Sequence, residues 1–191
     1  MVHDTQTFVE LNDLPVNNKP RWVIMHHTGG TDINPLADTS HHTAEDVEQW
    51  HLSKGWDGIG YHYFIEKDGD VWRGRPEHRN GAHCIGKNTE SIGICLAGNF
   101  DATMPTQAQT SSLRQLLIDI KQKYNIPVKN IVPHRKFANK TCYGRRLADD
   151  WAQQLVHAEM TLGEYTTLEL LKEAMSRKDI HRAITRYFTG R

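Results

Sequence analysis

"RWVIMHHTGG", residues 21–30, runs from an unbroken apolar stretch into a histidine pair and then two glycines. A short apolar run bounded by a turn signal reads as a buried strand, and Gly29-Gly30 as the loop that leaves it. The backbone at the end of such a strand is held firmly, so its side chains are well placed to hold a ligand. Successive strand residues point to opposite faces, which puts His26 and His27 on opposite sides of the sheet. Pattern alone does not say which of them faces a site.

Working outward, "HHT" recurs at 41–43, in "TSHHTAED". This copy lacks a strand before it. Thr43 followed by Asp46 has the form of a capping box, and the residues to Gly55 keep helical spacing. His41 and His42 therefore read as exposed loop residues ahead of a capped helix. "IGYHYFIEKDGDVWRGR" places two alternating segments around Asp68-Gly69, a hairpin signal. "SIGICLAGNF" (91–100) reads as a further core strand. Pro105 and Thr106 open a helix carrying Leu113, Leu116, Leu117 and Ile120, which "NIP" (125–127) ends. "NIVPHRKF" reads as a short strand entering a loop, and "RRLADDWAQQLVHAEM" (145–160) as a helix. Strands and helices alternate without a strict βαβ rhythm, which predicts an α/β domain with one central mixed sheet flanked by helices. That domain is expected over residues 1–157, after a loose opening. Residues 158–191 are expected to form a helical extension.

The 191 residues and 38% hydrophobic content suit one domain with a small appendage. Charges balance at 23 against 23, so no global field argues for nucleic acid. No apolar run approaches the roughly 20 residues that span a bilayer. The opening "MVHDTQTFVELNDLP" has neither a basic nor an apolar leader region, so synthesis in a cytoplasm is expected. Three cysteines (Cys84, Cys95 and Cys142) do not make a disulfide framework. From Arg177 onward, Arg177, Lys178, Arg182, Arg186 and Arg191 face a single acid, Asp179. This basic, amphipathic segment reads as a solvated or packed helix. The sharper reading gives it weak contact with anionic lipid or wall polymer.

A hydrolytic zinc centre needs three protein ligands and one open position. The first histidine pair is one source, and "VPHRKFANKTCYG" offers His134 and Cys142. A free cysteine is commonly a small core residue. In this polar loop a core role is less natural than it is for Cys95 in "IGICLAG". Taken alone, the pair remains undecided.

Four stretches together settle more than any one. "WVIMHHTGG", "GWDGIGYHYFIEKDG", "GAHCIGKNTESIGICLAGNF" and "HRKFANKTC" resemble, in order and spacing, the zinc-dependent N-acetylmuramoyl-L-alanine amidases. Within that family the chain looks most like the amidase-type lysozymes of bacteriophages, which are related to the peptidoglycan-recognition proteins. The likeness runs over about residues 20–157. It implies one zinc ion held by His26, His134 and Cys142, with His27, His41 and His42 left without a metal role. It implies hydrolysis of the amide joining N-acetylmuramic acid to L-alanine of the stem peptide. Tyr61 and Lys140 match the family's catalytic positions, Tyr61 beside the attacking water and Lys140 facing the developing oxyanion. His83 matches a substrate-contacting histidine, and Asn88 in the same loop is a further substrate-binding candidate. Cys84 is incidental. Many relatives have Pro-Gly after the third ligand. Tyr143-Gly144 stands here, which removes a restraint on φ and puts the loop's rigidity in question.

The implied function is a peptidoglycan hydrolase acting as a monomer, a phage endolysin made in the host cytoplasm and reaching the wall after release. The alternatives are a recognition module that binds peptidoglycan without cleaving it, and a bacterial wall-remodelling amidase. A binder that had lost the chemistry would be expected to lack the cysteine ligand, which is present. Some resembling phage amidases also bind their phage's RNA polymerase, but nothing in these residues carries that role over.

Overall fold

The computed structural model describes residues 1–157. The expected helical extension, and any contact it makes with lipid or wall polymer, lies outside them. Six strands form one sheet: β1 (Val2–Asp4), β2 (Trp22–His27), β3 (Tyr63–Ile65), β4 (Val71–Arg73), β5 (Ser91–Leu96) and β6 (Ile131–Pro133), in the order β1-β4-β3-β5-β2-β6. β3 and β4 pair antiparallel around the Asp68-Gly69 turn, and every other pairing is parallel. The mixed α/β sheet expected from sequence is present.

β2 is apolar up to its two terminal histidines because both of its faces are covered. Val23 and Met25 join Ile92, Ile94 and Leu96 of β5 beneath Leu113, Leu117 and Ile120 of helix α3 (Gln107–Tyr124). Ile24 packs on the opposite face with Cys84 and Val132. On that same face, Ala44 and Val47 of helix α2 (Ala44–Ser53) meet Phe64 and Cys95. Capping boxes start both helices, Thr43 with Asp46 and Thr106 with Gln109. Asn125 ends α3 in the left-handed region, at φ 52°; its short polar side chain tolerates that conformation better than most.

Two local expectations are corrected. The opening is not loose: β1 pairs with β4, and helix α1 (Gln6–Leu11) follows, capped by Thr5. Arg73 forks onto the Asp4 carboxylate at 2.6 and 2.9 Å. Thr7 of α1 bonds the buried Glu48 of α2 through its N–H, at 2.7 Å, and through its hydroxyl. The same hydroxyl accepts the Ile59 N–H at 3.0 Å. The last described helix, α4 (Trp151–His157), begins six residues later than its apolar spacing suggested. The N–H groups of Arg145 and Arg146 are taken by the Asp101 carboxylate (2.7 Å) and the Phe100 carbonyl (3.1 Å), so that stretch is drawn off as a turn.

Candidate metal centre

In the register of β2 against β6, Met25 lies opposite Pro133, so the next residues, His26 and His134, leave the two strand ends side by side. Their ring centroids are 4.4 Å apart. The chain makes a 3₁₀ turn at His134–Lys136 and returns with Cys142. One nitrogen each of His26 and His134 and the sulfur of Cys142 lie within 4.8 Å of one another, and His26 Nδ1 is 3.7 Å from Cys142 Sγ. Donors around a tetrahedral zinc, with bonds of about 2.0–2.1 Å to nitrogen and about 2.3 Å to sulfur, sit roughly 3.3–3.7 Å apart. The donor set fits that ion, and the His26–Cys142 separation already falls in that range. No other such cluster of His, Cys and carboxylate occurs among the described residues.

Electrostatics support the same reading. Burial drives the His26 pKa well below its ordinary value, with His83, His134 and Lys140 adding to the effect. His134 shifts the same way, by burial and then by Lys140. Burial pushes the Cys142 thiol up to about 12, opposed by the His27 backbone N–H and by Lys140. Two neutral imidazoles and a thiol costly to ionise therefore converge on one point, and a dication there reverses the cost for the sulfur.

The ligand loop is fastened from below. The guanidinium of Arg135 reaches the Gly144 and Leu147 carbonyls, each at 2.7 Å, and the Asp149 carboxylate at 2.6 Å. Tyr143 is 1% exposed, bonds the Ala148 carbonyl at 2.6 Å and packs near Trp151. An anchored aromatic side chain thus provides the restraint that proline would have provided through φ.

The three donors open into a groove of about 750 Å³, whose lining includes Tyr61, His83, Lys140, Trp50 and Trp56. Tyr61 lies against His26, with ring centroids 5.1 Å apart. Burial, followed by the Cys95 and Cys142 sulfurs, raises its pKa well above the ordinary value. Its hydroxyl therefore keeps its proton. Lys140 is exposed at the rim. His83 Nδ1 lies 3.0 Å from His26 Nε2. Asn88 is not brought to the groove: its Oδ1 accepts the N–H groups of His83 and Cys84, both at 2.9 Å.

The remaining histidines sort as follows. His27 is on the other face, where its Nδ1 accepts the Phe100 N–H at 3.0 Å. His41 and His42 stack edge-on in the loop before α2. Cys84 and Cys95 are buried and free. Sequence reasoning missed Arg135, although its place beside His134 was a signal. It also missed His51, whose Nδ1 accepts the Gly60 N–H at 3.1 Å while its ring stacks on Trp56 at 4.5 Å.

Residues 16–145 match the family described as N-acetylmuramoyl-L-alanine amidase. The endolysin of Escherichia phage T7 is 42% identical over 103 residues, which cover 51% of this chain and 66% of that protein. The match spans just under two thirds of that relative's length. Peptidoglycan-recognition protein SC2 of Drosophila melanogaster is 31% identical over 128 residues, covering 66% of this chain and 69% of that one. Among solved structures, the endolysine N-acetylmuramoyl-L-alanine amidase LysCS from Clostridium intestinale superposes with a TM-score of 0.68 at 28% identity, over 83% of this chain and 97% of that one. The family match and the superposition agree, and the chain belongs to the N-acetylmuramoyl-L-alanine amidase family.

Proposed function

We propose that this protein is a zinc-dependent peptidoglycan hydrolase that cleaves the amide between N-acetylmuramic acid and L-alanine of the stem peptide, serving as a phage endolysin. The single observation that carries the reading is the convergence of His26, His134 and Cys142 on one point at the floor of the groove. A recognition module would have no use for a complete donor set with Tyr61 beside it. The likeness to phage endolysins favours release through host lysis over wall remodelling, with synthesis in the host cytoplasm; action as a monomer is part of the same proposal.

When bound, zinc acidifies water towards a pKa of roughly 7 and polarises the scissile carbonyl. The chain's own groups do the rest. Tyr61 keeps its phenolic proton, so it donates from its hydroxyl and orients the water or the carbonyl beside His26. Lys140, at the rim, brings a positive charge to the carbonyl oxygen as negative charge develops there. His83 lies at the groove floor and its neighbour Asn88 shapes the loop, which assigns substrate contact to His83 and only an indirect part to Asn88.

Purified peptidoglycan is to be digested with the protein as isolated, after chelation and after zinc is restored, and the products identified by mass. Free stem peptides beginning with L-alanine, lost on chelation and regained with zinc, are expected. Intact glycan–peptide linkages in all three, with the protein sedimenting with the wall, would make this a recognition module.

A further inference from the structure

His83 sits where a side chain scarcely fits. A Cβ on Gly93, in the middle of β5, would lie 2.4 Å from its Cδ2, and one on Gly81 would lie 2.3 Å from the same atom. Two bare backbone positions thus make the niche for this imidazole. Its entry is fixed by Asn88 Oδ1, which takes the His83 N–H. A ring seated this closely has a defined orientation, and its two nitrogens have different partners. Nδ1 faces His26 Nε2 at 3.0 Å, and Nε2 faces Ser91 Oγ at 3.3 Å.

The proton directions can be read from the far end. Ser91 is fully buried and has one hydroxyl proton, which it donates to the Lys87 carbonyl at 2.7 Å. Its oxygen is therefore the acceptor towards His83, so His83 carries its proton on Nε2 and offers a lone pair on Nδ1. His26 then donates Nε2–H to His83. Its remaining nitrogen, Nδ1, is left as a lone pair, and that atom faces Cys142 Sγ.

We propose that His83 is a positioning residue for the metal ligand His26, and that the chain His26–His83–Ser91–Lys87 carbonyl fixes the His26 tautomer with Nδ1 free for the ion. This rests on the zinc reading above and adds a role to the groove-facing one. Outer partners of metal-bound histidines orient the ring, and their loss typically costs about 10–100-fold in metal affinity.

The test uses the full chain with ¹⁵N-labelled histidine. Long-range ring correlations of the zinc-free protein are expected to show both His26 and His83 protonated on Nε2. Zinc affinity is read separately by competition with a chelating dye. His83→Leu, which fills the niche without an acceptor, is expected to weaken zinc about 10–100-fold. His83→Gln, whose Oε1 can accept from His26 and whose amide can reach Ser91, is expected to recover most of that loss. Should His83→Leu fail to fold, Ser91→Ala reports instead, with a mixture of His83 tautomers and a severalfold weaker site. A His26 protonated on Nδ1, or His83→Leu and His83→Gln binding zinc alike, overturns the proposal. A wild-type chain that takes up no zinc overturns the zinc reading instead, and the tautomer at His26 still decides the relay.

Discussion

The Arg135 N–H donates to the Cys142 carbonyl at 2.7 Å, so the residue beside one candidate ligand closes the loop that bears the next. The Arg135 side chain repeats the fastening through the Gly144 and Leu147 carbonyls. Hydrogen bonds to a charged group contribute about 1.5–3 kcal/mol each, less where one partner is exposed. Asp149 is largely exposed and adds little. Arg135→Ala is expected to lower stability by about 2–4 kcal/mol in urea unfolding and to weaken zinc binding, because Cys142 is no longer held. Arg135→Ala binding zinc as the wild type does would show that the strand ends alone position the donors.

Stability is expected to fall in mild acid through histidines outside the metal cluster. Burial lowers His62 and His51 from the ordinary 6.5 to about 4. His62 is trapped neutral, its Nδ1 accepting the Gly93 N–H at 3.0 Å while Nε2–H donates to the Arg79 carbonyl at 2.9 Å. Above pH 6.5 both states are neutral at these rings and nothing changes. Between 6.5 and 4 the unfolded chain binds protons that the folded one refuses, so stability drops as pH falls and levels off below about 4. Each ring contributes on the order of 3 kcal/mol to that loss. Urea midpoints at pH 7.5, 6 and 5 read it, and His62→Gln should flatten the profile. A wild-type midpoint unchanged between 7.5 and 5 would refute this assignment.

What could be read in the sequence was what is local. The capping boxes at Thr43 and Thr106, the Asp68-Gly69 turn and the apolar run of β2 each carry their partners within a few residues. β1 was hidden because a three-residue strand with a mostly exposed face has no hydrophobic pattern, and its pairing partner is β4. Residues 145–150 misled because Asp101 and Phe100, far away in sequence, take their N–H groups. The site divides in the same way. Strand alternation separated His26 from His27, but only the family resemblance chose His26, since His134 meets it through the sheet register and Cys142 through a loop closed from afar. Ser91 gave no signal, and Arg135 only its place beside His134, because what each one does depends on carbonyls that come near only in the fold. Gly93 was a partial signal: a glycine inside a strand marks a close approach without naming what approaches.

Gly93→Ala turns that mark into a measurement. The new methyl group has to displace the His83 ring or push β5 away from β2, and overpacking of this kind costs about 1–3 kcal/mol. Stability is expected to fall by that amount and zinc affinity with it. The double variant Gly93→Ala with His83→Ala relieves the clash and should regain stability without regaining zinc affinity. If the single substitution left both unchanged, the niche would be looser than its contacts state.

Tyr61→Phe and Lys140→Ala separate chemistry from construction. Lys140 is exposed, so its removal should change stability by less than about 0.5 kcal/mol. Tyr61→Phe keeps the ring that lies against His26 and removes only the hydroxyl, so fold and zinc affinity are expected to persist. Loss of one preorganised group aimed at developing charge costs roughly 10²–10³ in kcat, and each variant is expected to show that loss with KM little changed. Both are to be assayed as zinc-loaded protein on soluble muramyl-peptide fragments, where wall access plays no part. A rise in KM at unchanged kcat would move Lys140 from the reaction to substrate binding. Full activity in Tyr61→Phe would leave its ring as packing against His26, and the orientation of the water would then fall to the ligands alone.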